Sequence, residues 1–215
     1  MTLTPACRTW LVTGYVRLDS QHRSHARYLE LGQRLLGLGL PAVAYHQPLD
    51  ECWLTRHHEA MGVTVEADGK DSLAYHCVQH EKTAWLARTA RQNRPGTLIW
   101  IDYGILHLAG VTEDHIREFW EYVDDHPPTR ITIPSIWPAD APILDEHPCW
   151  ICAGGVLVMP SWAAEWWHRE CMAVATHSRP TWEVNTWAKV ARRYPDQVTL
   201  YKADHDSTIL TGIAA

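Results

Sequence analysis

The sequence predicts a three-layer α/β/α domain built on a mainly parallel sheet. Apolar stretches of strand length alternate with helix-length amphipathic segments along the whole chain. One stretch, TLIWID at 97–102, is apolar almost to its end and reads as a central strand buried on both faces. The 215 residues contain no internal repeat and no low-complexity linker, so a single domain is expected.

The first strand is TWLVTGYVRL, residues 9–18. Residues 25–38 place Tyr28, Leu31, Leu35 and Leu38 on one helical face, and Gly37, Gly39 and Pro41 end that helix. PAVAYH (41–46) is a short second strand, and 47–70 has no clear period. HEKTAWLARTARQN (80–93) is a helix stopped by Pro95-Gly96, followed by the central strand. Residues 112–125 carry acids in their first turn behind Thr112, an N-cap residue, and form a helix. RITIPSI (130–136) is a strand or edge segment before the proline-rich loop 137–148. ICAGGVLVM (151–159) is a strand with two glycines, 161–177 a Trp-rich helix and 181–193 another. Residues 198–201 close the sheet and lead into ADHDSTIL.

Composition narrows the functions. The net charge is −6, which gives no general attraction for DNA or an anionic membrane, so any polyanion must be held by a local patch. No run reaches the ~18 apolar residues that cross a bilayer, and the start lacks the basic and small-residue features of a signal peptide, so a soluble cytoplasmic protein is expected. Cysteines 7, 52, 77, 149, 152 and 171 are too sparse for a disulfide framework. His147-Pro-Cys149-Trp-Ile-Cys152 lacks a second pair at zinc spacing, and buried thiols are the simplest reading. Two counts stand out: 12 Trp against one Phe, and 14 His. They fit either a polar-tolerant aromatic core or a site that stacks flat ligands and handles protons or a metal.

Asp102 is the most informative residue. An acid at the carboxyl end of a central strand lies where open α/β sheets bind ligands, and Tyr103-Gly104 turns its carboxylate toward a cleft. A capping or Arg-pairing role is the alternative. Gly154-Gly155 would weaken a strand, so they mark a bulge, a close backbone approach to a ligand, or packing against a Trp. Glu183, after the Pro180 break and beside Trp182, Asn185 and Trp187, is either a dipole partner at a helix start or a functional acid. Arg8, Arg17, Arg23, Arg27 and Arg34 make the early chain basic, whereas residues 111–146 hold nine acids against Arg117 and Arg130.

In the order LVTGYVRL, the helix with Lys82 leading into LIWIDYG, ICAGGVLVMP, WEVNTW and the terminal ADHDS, the chain resembles the GT-A-fold nucleotide-sugar-dependent glycosyltransferases, in particular the small bacterial HtrL-like members. The resemblance implies a Rossmann-like GT-A domain with a nucleotide-sugar-binding half (1–110) and an acceptor-binding half (111–215). It implies that Asp102 stands in a D-x-D-like motif whose second acid is replaced by Gly104, and that Asp102 and His205 hold a divalent Mn²⁺ or Mg²⁺ on the diphosphate. It places the donor against Thr13, Arg17, Arg23, Lys82, Tyr103 and Gly104, and the acceptor against Gly154, Gly155, Trp150, Trp182 and Trp187. Glu183 would be the base that removes the acceptor's proton. His205 taken alone is more simply a solvated side chain in an acidic tail.

Two acceptors fit this reading: a bacterial surface saccharide, or a hydroxymethylated pyrimidine in DNA, as in phage DNA modification. DNA calls for a basic groove and stacking aromatics, since the base must be flipped out. Two other classes compete, an inactive nucleotide-binding or interaction module that has kept the fold, and a Cys/His metal-binding protein.

Overall fold

A computed structural model describes residues 9–18, 23–66, 72–92, 96–177 and 180–215. Cys7, Arg8, Asp19 and Pro95, and part of the 47–70 segment, lie outside these residues. Six strands form one sheet in the order β2-β1-β3-β5-β4-β6: β1 Thr9–Tyr15, β2 Ala42–His46, β3 Thr97–Ile101, β4 Ile131–Ser135, β5 Val156–Pro160 and β6 Val198–Lys202. The β1–β2, β1–β3 and β4–β6 pairs are parallel, and β5 alone runs against its neighbours β3 and β4. This is the expected three-layer α/β architecture.

The strand period separates two cores. Leu98 and Trp100 of β3 point into one, Ile99 and Ile101 into the other, so β3 is buried on both faces. On the first face lie α3 (Leu73–Arg91), α5 (Ala164–His177) and α6 (Glu183–Arg193); on the second lie α1 (His25–Leu36), α4 (Glu113–Asp125) and the short α7 (Thr208–Thr211). The remaining helix, α2 (Trp53–Ala60), in the stretch without a clear period, packs on α3. Half of the twelve Trp belong to the first core: Trp85, Trp100, Trp167 and Trp187 are fully buried there, and Trp10 and Trp166 pack against it.

Local signals explain most boundaries. Ser24 caps α1 by accepting from Arg27 N, and Thr112 caps α4 by accepting from His115 N. The largest departure is α3, which starts at Leu73 rather than at residue 80 because Ser72 caps it, accepting from Tyr75 N at 3.1 Å. Packed between sheet, α2 and α5, α3 buries His80, Glu81, Lys82 and Thr83 in succession, and so has no polar face to give it an amphipathic period. Residues 151–155 are turns rather than strand, so β5 begins only after the glycine pair.

Two of these buried polar groups make stability depend on pH in opposite directions. Glu81 accepts a hydrogen bond from Trp53 N at the start of α2, and burial pushes its carboxyl from the ordinary 4.5 up to about 7. Its contribution is therefore most favourable below pH 4.5 and is lost as pH rises through 7, a change of about 3 kcal/mol. His80 is pressed down to about 4 by burial, so its neutral form favours folding above pH 6.5 and that advantage is lost on acidification through 4. Glu81→Gln keeps an acceptor for Trp53 N and leaves His80 unchanged. Urea unfolding is expected to show the variant matching wild type at pH 4 and exceeding it at pH 8; equal stabilities at pH 8 would contradict the assignment.

Candidate functional site

The chain passes from β1 to β2 on one side and to β3 on the other, and the gap outside the carboxyl ends of β1 and β3 is where such sheets bind ligands. A cavity of about 470 Å³ opens there, lined by Gly14 and Tyr15 from β1, Asp102 and Tyr103 after β3, and Lys82 from α3. A smaller recess of about 100 Å³ shares Lys82, Asp102, Trp150 and Trp182 with it and reaches Gly154, Gly155 and Glu183.

At the junction is a three-residue charge cluster. Lys82, 4% exposed, donates to Asp102 Oδ1 at 2.9 Å, Glu183 Oε1 at 2.8 Å and the Gly154 carbonyl at 3.0 Å. An ammonium has three N–H groups, and all three are used. Burial alone would lower the Lys82 pKa, but the charges and hydrogen bonds of Asp102 and Glu183 outweigh it and raise it above the ordinary lysine value. The Trp100 indole also donates to Asp102 Oδ1, at 2.8 Å. The second carboxylate oxygens, Asp102 Oδ2 and Glu183 Oε2, accept no hydrogen bond among the described residues. Glu183 is nearly inaccessible, whereas the Asp102 side chain is 35% exposed to the cavity.

The glycine pair is explained by this cluster. A Cβ on Gly154 would fall on Glu183 Oε1, and the Gly155 carbonyl accepts from Asp102 N at 2.9 Å, extending the β3–β5 ladder by one step. In the same cavity Tyr15 and Tyr103 stack at 5.4 Å, and the Tyr103 ring occupies the space that a side chain at Gly32 of α1 would fill. Arg23 also lines the cavity.

The structure thus brings together Asp102, Glu183, Lys82, Tyr103, Gly104, Arg23, Gly154, Gly155, Trp150 and Trp182 around one opening. Four residues singled out in the sequence are placed elsewhere. Trp187 is fully buried in the first core, tilted against Trp167 6.3 Å away, because it lies on the inner face of α6. Thr13 is fully buried within β1, and Arg17 is exposed beyond the cavity lining. His205 is exposed and sits edge-on to Trp150, with ring centres 4.4 Å apart. Lys82 reaches the cavity but has no N–H left for a donor phosphate, so its geometry is that of a tether for two carboxylates.

The described residues form no all-protein metal cage, and a divalent cation on a diphosphate would rely on Asp102 Oδ2, the oxygen of that carboxylate left without a hydrogen bond, with phosphate oxygens and water completing its shell. Asp102 Oδ1 already takes two N–H groups, Gly104 offers no side chain, and no three of His, Cys, Asp or Glu gather among the described residues. The cysteine pair is likewise no ligand set: Cys149, Cys152 and Cys171 are buried free thiols, each raised by burial. No described helix is long and apolar enough to cross a membrane.

Sequence reasoning missed Tyr75 and Gln79, which share the cavity face of α3 with Lys82 at helical spacing, because that helix was expected to begin at residue 80. It also missed the work of Asn185. Its buried amide donates to the Leu144 and His147 carbonyls and accepts from Cys149 N at 2.7 Å, holding the loop that presents Trp150.

No protein-family model matches the sequence, and neither does any curated protein. Among solved structures the chain is similar to a glycosyltransferase involved in the glycosylation of the major capsid of PBCV-1, with a TM-score of 0.53 and 10% identity, over 90% of this chain and 82% of that one. Mouse xyloside xylosyltransferase 1 in its apo form gives a TM-score of 0.47 and 12% identity, over 89% and 84%. The chain therefore has the α/β fold of the PBCV-1 capsid glycosyltransferase.

Proposed function

We propose that this protein is a glycosyltransferase that moves a sugar from a nucleotide diphosphate onto an acceptor hydroxyl. The observation that carries the reading is the Asp102–Lys82–Glu183 cluster at the junction of two chambers, at the switch point of the sheet. The large chamber, with Arg23 and the Tyr15–Tyr103 stack, suits a nucleotide diphosphate, since a guanidinium fork pairs with phosphate oxygens. The recess, with Trp150, Trp182 and the glycine pair, suits the acceptor. This assigns residues 1–110 mainly to the donor and 111–215 mainly to the acceptor, in line with the resemblance to GT-A enzymes and their HtrL-like members.

In this reading Glu183, fixed by Lys82 through Oε1, presents Oε2 to the acceptor hydroxyl. The carboxylate takes the proton as the acceptor oxygen forms the new glycosidic bond and the diphosphate leaves with the electron pair of the old one. Asp102 faces the transferring sugar and orients it. The hydroxyl is carried either by a saccharide or by a hydroxymethylated pyrimidine in DNA.

The test is a panel of sugar nucleotides, with nucleoside diphosphate release and calorimetric binding measured on the same protein. Release with at least one donor is expected, slow in water and faster with an acceptor. Binding without any release would make the protein an inactive nucleotide-binding module, and neither binding nor release would overturn the reading altogether.

A further inference from the structure

Besides the Asp102 carboxylate, the wall shared by the two chambers carries the amide of Gln79. This side chain is half-buried on α3, lines both chambers, and its amide makes no hydrogen bond among the described residues. Trp150 and Trp182 line the same two spaces. An amide with one acceptor and two donors set among indoles is the chemistry that holds adjacent hydroxyls while the C–H face of a pyranose packs on a ring.

An indole serves a flipped base as well as a sugar, so charge has to distinguish them. The segments around Trp150 are 137–150 and 203–208, joined to it by hydrogen bonds from Ile136 N and Trp137 N to its carbonyl and by the His205 ring. They carry Asp140, Asp145, Glu146, Asp204 and Asp206 against three adjoining cations, Lys202 at the end of β6 and Lys189 and Arg192 on α6, and so are net negative. The adjoining cations of α6 are engaged within the protein: Lys189 holds Asp145 at 2.6 Å, and Arg192 donates to the Ala139 and Ala141 carbonyls. Arg23 lines the large chamber but not the recess. A duplex brought to Trp150 would set its phosphates against this acidic rim, the reverse of what DNA binding requires.

We propose that the acceptor is a neutral carbohydrate, hydrogen-bonded by Gln79 beside Trp150 and Trp182, and that the acidic rim excludes DNA. The proposal rests on the glycosyl-transfer reading and narrows it to one acceptor class. Glucose, galactose, maltose, lactose and cellobiose, and separately a duplex containing hydroxymethylcytosine, would be added to the wild-type protein with whichever sugar nucleotide it turns over. At least one saccharide is expected to raise nucleoside diphosphate release about tenfold above water, with no stimulation by the duplex. Gln79→Ala is expected to raise the KM for that saccharide about tenfold, as for loss of a hydrogen bond or two, with kcat changed far less. Gln79→Glu, of the same shape, gives a second reading should the alanine variant melt early. Stimulation by the duplex alone, no stimulation by any saccharide, or an unchanged KM in both folded variants would overturn the proposal while leaving sugar-nucleotide turnover intact. Absence of any turnover or binding would instead remove the reading on which it rests.

Discussion

Replacing Lys82 with Met is expected to destabilise the protein by about 3–5 kcal/mol, the cost of leaving a buried carboxylate without its counter-ion. Lys82 and Glu183 are both almost fully buried, and their 2.8 Å contact is the one hydrogen bond that Glu183 Oε1 accepts among the described residues. Methionine fills most of the lysine's volume, so the loss is electrostatic rather than a cavity. Adding Glu183→Gln to Lys82→Met removes the stranded charge and is expected to recover a large part of the stability. Urea unfolding of wild type, both single variants and the double variant gives the coupling directly. A Lys82→Met protein as stable as wild type, or a double variant no more stable than the single one, would show that the cluster is not held together by this pair.

Asp102→Asn should have the opposite profile: little change in stability and a loss of turnover of at least about a hundredfold. The side chain is 35% exposed, so the charge is partly solvated and its pairing with Lys82 contributes less than the buried one. Asparagine retains an oxygen to accept from the Trp100 indole and from Lys82. What is lost is the charge facing the cavity at the switch point of the sheet. Nucleoside diphosphate release and unfolding would be measured side by side. Undiminished release would remove Asp102 from the site, and a collapse in stability would make it a structural residue.

These two residues also mark how far the chain could be read before its structure was known. Asp102 was legible because its signal is local: an acid ending an apolar run lies at the carboxyl end of a strand, whatever surrounds it. The same holds for Thr112, whose capping role needs only the residues that follow it, and for the layer architecture, which follows from the alternation of strand and helix. Glu183 was legible as an acid at a helix start, but not as half of a buried ion pair. Gly154-Gly155 were legible as an anomaly without a cause.

The Trp count illustrates the other limit. Residue type alone could not divide indoles between core and site, and Trp182 and Trp187 looked alike in sequence. Five residues along α6 are about 500° of rotation, which carries Trp187 around to the sheet while Trp182 stays at the helix mouth.

The sequence by itself determined the layers, the strand that would be central, and the acid that would sit at its end, because each depends on period and on nearest neighbours along the chain. Only the tertiary structure decided that Lys82 is a tether rather than a free cation, that the glycines make room for Glu183, and that Gln79 lies on the wall of the site. Those outcomes depend on contacts between residues as many as 101 positions apart, the separation of Lys82 and Glu183, and no local pattern encodes which buried charge meets which partner.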